Sequence, residues 1–127
     1  AAGALEGLRV LLVDDDPDVR TITGQLLEEL GCRVEAAGSG EEALERARRG
    51  VDFQCALIDF AMPGLNGGET ARRLRELDPG LPVVLMSGYA DLDGLAESWT
   101  GPLLHKPFGV RALAEELSRV AGAQVQG

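Results

Sequence analysis

Asp14, Asp15, Asp59, Ser87 and Lys106 share one property: each stands where a run of apolar residues stops. Leu8–Val13 stops at Asp14-Asp15, Ala56-Leu57-Ile58 at Asp59 and Leu81–Met86 at Ser87, and Pro102–His105 leads into Lys106. An aspartate closing an apolar strand is costly unless a cation meets it in space. Oxygen-only ligands in a tight carboxylate cluster suit Mg2+, which keeps several waters and often bridges to a phosphate. A carboxylate, a hard cation, a lysine and a hydroxyl are the components of a phosphoryl transfer. In such a transfer the carboxylate is the nucleophile and the cations neutralise the equatorial oxygens. Asp59 is the nucleophile candidate because it stands singly, whereas Asp14 and Asp15 form a chelating pair. Three carboxylates are nearly balanced by one divalent cation plus Lys106.

Bringing these groups together requires strands that end at one edge. Asp16 followed by Pro17 is an N-cap with proline at the first helical position, and Val19, Ile22, Leu26, Leu27 and Leu30 recur at helical spacing up to Gly31. Cys32–Ala37 reads as a second strand, and Ser39-Gly40-Glu41-Glu42 as a capping box opening a helix that runs to Gly50. Phe53–Asp59 is the third strand. Asn66-Gly67-Gly68-Glu69 caps a helix containing Ala71, Leu74 and Leu77, stopped by Asp78-Pro79-Gly80. After the fourth strand, Leu92, Leu95, Ala96 and Trp99 share one helical face over Ala90–Thr100, weakened by Gly94. Val110, Leu113, Ala114, Leu117, Val120 and Ala121 follow the fifth strand as the clearest amphipathic helix. Strands apolar on both faces that alternate with helices predict a parallel sheet between two helix layers, with ligands at the carboxyl ends of the strands. Residues 1–7 read as a linker or cloning remnant, residues 8–121 as the domain and residues 122–127 as a frayed tail.

Composition narrows the function classes. The chain has 127 residues, 45% hydrophobic and 26% charged, enough for one domain and not two. A net charge of −9 and 4% aromatic content argue against binding nucleic acid and suit a partner of cations or of a basic surface. No apolar run would span a bilayer, and the expected setting is the cytoplasm. Cys32 and Cys55 lack metal-ligand spacing and read as packing residues.

Each motif also has a plainer interpretation. Most acidic triplets are solvated turns, and Asp16 and Asp18 read as cap and first-turn charges. An EF-hand fails because its sixth position is Val19 and its twelfth Gln25. Gly64, Gly67 and Gly68 lack the lysine and hydroxyl of a phosphate loop. His105 reads as a surface or packing residue, Met62 as core beneath Pro63, and Tyr89 as a loop aromatic able to shield a site near Ser87.

The ordered motifs LLVDDDP, LIDFAMPGLNG, VVLMSG and LLHKPF, spread from Leu8 to Val120, resemble the receiver domain of two-component response regulators and hybrid sensor kinases. The resemblance implies a flavodoxin-like (βα)5 fold with a five-stranded parallel sheet. It implies that Asp59 accepts a phosphoryl group from a histidine kinase or histidine phosphotransfer domain. Mg2+ (or Mn2+) would lie on Asp15 directly, on Asp14 through water, on Asp59 and on the Ala61 carbonyl. Ser87 and Lys106 would contact the phosphoryl group, with the backbone of Phe60, Ala61 and Gly88, and the Lys106-Pro107 peptide would be cis. Such a domain would catalyse only its own phosphorylation and dephosphorylation, bind neither nucleic acid nor membrane, and be a monomer or weak dimer.

Two departures stand out. The switch aromatic that works with Ser87 is replaced by Leu103, and the span from Ser87 to Lys106 is about one helical turn short. Both, with the LLHKPF form, resemble the receiver of a hybrid histidine kinase. The rival enzyme is a haloacid-dehalogenase-like phosphohydrolase with Asp14 as nucleophile and Asp16 as acid. It leaves Asp59 unexplained and lacks an acidic pair after Lys106. A pseudo-receiver acting only as an interaction module would need a broken site.

Overall fold

Val10–Val13, Cys55–Ile58 and Val83–Met86 are each sealed on both sides, with no residue more than 0% exposed. A computed structural model describes residues 5–88 and 99–126. It places these runs in strands β1 (Arg9–Val13), β3 (Cys55–Asp59) and β4 (Val83–Ser87), with β2 (Arg33–Ala37) and β5 (Leu103–His105) at the edges. The sheet is parallel and five-stranded, in the order β2-β1-β3-β4-β5. Four helices are described: α1 (Pro17–Glu29), α2 (Gly40–Arg48), α3 (Gly67–Leu77) and α4 (Val110–Gln126). This is the parallel sheet between helices expected from the alternation, in the flavodoxin-like α/β arrangement that the resemblance implies. The helix expected over Ala90–Thr100 lies almost wholly outside the described residues, as does Tyr89.

Alternate residues of each central strand face opposite layers. Val10, Leu12, Leu57, Val84 and Met86 pack with Leu27 of α1 and Leu113 and Leu117 of α4. Leu11, Val13, Ile58, Val83 and Leu85 pack with Ala43 and Leu44 of α2 and Ala71 and Leu74 of α3. The helices start where their caps predict. Asp16 accepts hydrogen bonds from the Asp18 and Val19 amides, Ser39 from Glu42 and Asn66 from Glu69. Each cap contributes about 1 kcal/mol. At α2 the box is displaced by one residue, because Glu42 Oε1 accepts from the Gly38 amide at 2.8 Å.

Three expectations need correction. Leu5, placed in the linker, is 1% exposed and belongs to the α1–α4 core, and the Gly7 amide donates to the Gly31 carbonyl. The helical span of α4 runs past residue 122, where the tail is expected to begin, to Gln126. Ile22, counted on the apolar face of α1, is 58% exposed. The buried line of α1 runs instead through Thr23 and Leu27.

Candidate functional site

The strand order reverses between β1 and β3, because the chain leaves β1 outward to β2 and returns on β1's other side. The crevice at the carboxyl ends of two such strands is where ligands bind in open α/β sheets. Val13 is paired with Ile58, so Asp14 emerges level with Asp59, and Asp59 is paired with Met86, one residue before Ser87. Ser87 is paired with His105, which sets Lys106 immediately beyond. Carboxylate oxygens of Asp14, Asp15 and Asp59 lie within 4.8 Å of one another. Lys106 Nζ is 2.6 Å from Asp59 Oδ1 and 3.4 Å from Asp14 Oδ2. All five residues singled out from the sequence therefore meet at one edge.

Local structure explains how each is held. The Asp14 amide donates to the Ala37 carbonyl, and Asp14 Oδ1 accepts from the Asp16 amide at 3.0 Å, which curls the acidic turn. Arg20, which sequence reasoning passed over, donates from Nη1 to the Asp14 main-chain carbonyl at 2.8 Å. Beyond Asp59, Gly67 is obligatory because a Cβ there would stand 2.6 Å from the Asp59 carbonyl oxygen and 2.7 Å from Phe60 Cα. Gly64 takes a positive φ of 75° in the turn after Met62-Pro63. The Lys106-Pro107 peptide is cis. The Phe60 amide, expected to face a phosphoryl group, instead donates to the Met86 carbonyl at 2.9 Å and extends the sheet ladder. The exposed Ala61 is the first residue past that ladder.

Electrostatics set the chemistry of the site. Burial, assisted by the charges of Asp14 and Asp15, pushes the Asp59 carboxyl up to about 6 against the opposing pull of Lys106. Burial draws the Lys106 ammonium down, but its hydrogen bond and charge contact with Asp59, together with Asp14, outweigh that and leave it above its ordinary value. Three converging carboxylates thus face one ammonium. The oxygen-only donor set with uncompensated negative charge fits a hard divalent cation. Ser87 Oγ is fully buried and has no hydrogen-bond partner among the described residues.

Leu103, expected at the switch position, is partly buried and, like Trp99, packs against the α2–α3 layer. Trp99 is not in a helix as expected. Its indole N–H donates to the Pro102 carbonyl at 3.0 Å, and its ring lies under Arg75 of α3, 5.2 Å from centroid to guanidinium carbon. Gly101 makes room for it, since a Cβ there would come within 2.7 Å of the indole.

A sequence profile of the response regulator receiver domain matches residues 10–118. The chain belongs to the response regulator receiver domain family. This receiver is 34% identical over 118 residues to the response regulator receiver protein CpdR of Brucella abortus, covering 88% of this chain and 95% of that protein. It is 35% identical over 125 residues to the sensor protein TorS of Escherichia coli, covering 95% of this chain but only 14% of that protein. A solved receiver protein from Sinorhizobium medicae superposes with a TM-score of 0.84 at 30% identity, covering 94% of this chain and 98% of that one. The receiver domain of a sensor histidine kinase of Pseudomonas aeruginosa, solved with magnesium coordinated in its active-site cleft, superposes at 0.83 with 28% identity, covering 91% and 98%. Relatives therefore include receivers of about this length and receivers that form one segment of a long sensor protein. The chain is a two-component signal-transduction receiver, and the phosphohydrolase alternative has no support.

Proposed function

We propose that this receiver takes a phosphoryl group from a phosphohistidine onto Asp59 and that the phosphorylated form changes its partner interactions. The observation that carries this reading is the meeting of Asp59 with Lys106 at 2.6 Å inside a three-carboxylate cluster at the switch point of the sheet. Asp14, Asp15, Asp59 and the Ala61 carbonyl would hold Mg2+ or Mn2+, which when bound neutralises charge on the transferred group. A carboxylate oxygen of Asp59 attacks phosphorus as the P–N bond of the phosphohistidine breaks. The departing imidazole takes up a proton from solvent, and an aspartyl phosphate remains.

A carboxyl raised to about 6 is ionised at neutral pH yet more basic than a solvated aspartate, which suits a nucleophile. Lys106 shifts from pairing the carboxylate to pairing the phosphoryl oxygens. The buried Ser87 hydroxyl gains there the partner it otherwise lacks, alongside the Ala61 and Gly88 backbone. The donor is a histidine kinase or a histidine phosphotransfer domain. The domain works in the cytoplasm as a monomer or weak dimer, without nucleic acid or membrane contact. The net charge of −9 supports the absence of nucleic-acid contact, and among the described residues no helix is long and apolar enough to cross a membrane. It catalyses no turnover except its own phosphorylation and dephosphorylation.

Incubation with acetyl phosphate and Mg2+ should add one phosphoryl group, seen by intact mass, with peptide mapping on Asp59. Asp59→Asn should take up none. A label on Asp14, or no label on the wild type, defeats the reading.

A further inference from the structure

We infer that Arg20 is a positioning residue for the acidic turn: its guanidinium grips the main-chain carbonyl of Asp14 and thereby aims the carboxylates of Asp14 and Asp15 at the site. The metal-binding part of this inference rests on the function proposed above. Arg20 sits four residues after the N-cap Asp16, and its own amide donates to the Asp16 carbonyl at 2.9 Å, so α1 fixes its backbone. Its side chain then turns back across the first helical turn, and Nη1 reaches the Asp14 carbonyl oxygen at 2.8 Å. That bond goes to a carbonyl and not to a carboxylate, which leaves the acidic oxygens to other partners.

The Asp14 peptide is thereby clamped from two sides: its amide by the Ala37 carbonyl of β2, and its carbonyl by a charged donor. With the amide and carbonyl of Asp14 both held, its side chain is directed at the site, and the backbone enters Asp15 from a fixed peptide. The loop after β2 is shaped around the same guanidinium. A Cβ on Gly38 would stand 3.2 Å from Nη1 and 3.8 Å from Cζ of Arg20, so the glycine leaves the space the guanidinium fills. The Gly38 amide is itself anchored to Glu42 Oε1 at 2.8 Å. α1, the end of β1 and the loop before α2 are thus tied together at one side chain.

Charge and position make opposite forecasts. As a bare positive charge near three carboxylates, Arg20 would oppose a divalent cation, and its removal would tighten Mg2+ binding. As a clamp it would favour the cation, and its removal would loosen binding. Mg2+ titration by calorimetry on Arg20→Ala, Arg20→Lys and Gly38→Ala decides between them. It is combined with amide hydrogen exchange of the metal-free proteins at Asp16, whose N–H bonds to Asp14 Oδ1.

Arg20→Ala should weaken Mg2+ binding about tenfold or more, the usual range for groups that orient metal ligands. It should speed exchange at Asp16 while leaving the β3 amides protected. Arg20→Lys, which keeps a charged donor on a long stem, should recover part of the affinity. Gly38→Ala, which crowds the guanidinium without removing it, should weaken binding in the same direction. Unchanged or tighter Mg2+ binding in Arg20→Ala, with β3 still protected, overturns the inference. If Arg20→Ala unfolds, Gly38→Ala decides, and wild-type Asp16 exchange and Mg2+ affinity in it overturn the inference. If the wild type binds no Mg2+, the proposed function fails, and Asp16 exchange alone judges the clamp.

Discussion

Asp14, on the β1 side of the site, is held at its amide, its carbonyl and both carboxylate oxygens, by Ala37, Arg20, Asp16 and Lys106. Ser87, on the β4 side, is as deeply buried but has no partner at its hydroxyl among the described residues, and Lys106 arrives on a strand of only three residues. Asp14 is bonded at every polar group, whereas the Ser87 hydroxyl is unbonded among the described residues. Groups that must bind a cation before any reaction gain from being preorganised, because no rearrangement then opposes binding. Groups that respond to a phosphoryl oxygen gain their partners only when it arrives, and a free hydroxyl is what can respond. The difference matches the proposed division of roles, with metal binding on the fully bonded side and contact with the phosphoryl group at the unbonded hydroxyl.

The comparison is broken most directly at Lys106, the chain's one lysine, which spans both sides. Lys106→Ala leaves Asp14 and Asp59 buried against each other with no ammonium between them. Thermal or denaturant unfolding of the metal-free protein at neutral pH should show a loss of about 1–3 kcal/mol, and phosphoryl uptake from acetyl phosphate should fall to background. Unchanged uptake would show that the sides do not communicate through this residue.

Titration gives a smaller effect of definite sign. The folded state holds the Asp59 proton more tightly than the unfolded state does, since the carboxyl rises from 3.8 to about 6. The stability contributed by this group is therefore complete below about pH 4 and declines as pH rises to 6, by on the order of 2 kcal/mol. Urea melts of metal-free protein across that window should show the decline, and Asp59→Asn should remove it. A flat profile in the wild type would mean that Lys106 compensates Asp59 fully and the site is not short of positive charge.

The smallest expected change in stability is at Ser87. Because its hydroxyl has no partner among the described residues, Ser87→Ala should shift unfolding by less than about 1 kcal/mol, yet slow labelling by acetyl phosphate. A loss well above that would reveal a structural hydrogen bond and erase the contrast with Asp14.

Much of this architecture is legible in one dimension because it depends on local rules. Runs such as Val10–Val13 and Val83–Met86, apolar at every position, can be buried only on both faces, and Asp16, Ser39 and Asn66 satisfy helix amides a few residues away. The candidate site was legible for the same reason: parallel strands all end at one edge, so polar residues following them must meet. Other features were not legible. Nothing local marks Leu5 as core, because its burial is created by α1 and α4. The helical spacing of Ile22 matched that of its neighbours, and only the docking of α1 on the sheet decided that Thr23 and Leu27 face inward. Trp99 looked like one more apolar residue of a helix, until Pro102, Gly101 and Arg75 gave it a seat.

By itself, then, the sequence determined which polar residues lie at the strand ends, and so which residues are candidates for the chemistry, because hydrophobic periodicity and cap chemistry act over a few residues. The tertiary structure decided how those residues are held. It tied the Phe60 amide into the sheet, set Lys106 at 2.6 Å from Asp59, and brought Arg20 onto the back of the acidic turn. Hydrogen bonds and ion pairs between distant segments depend on register and packing, and those exist only once the sheet has formed.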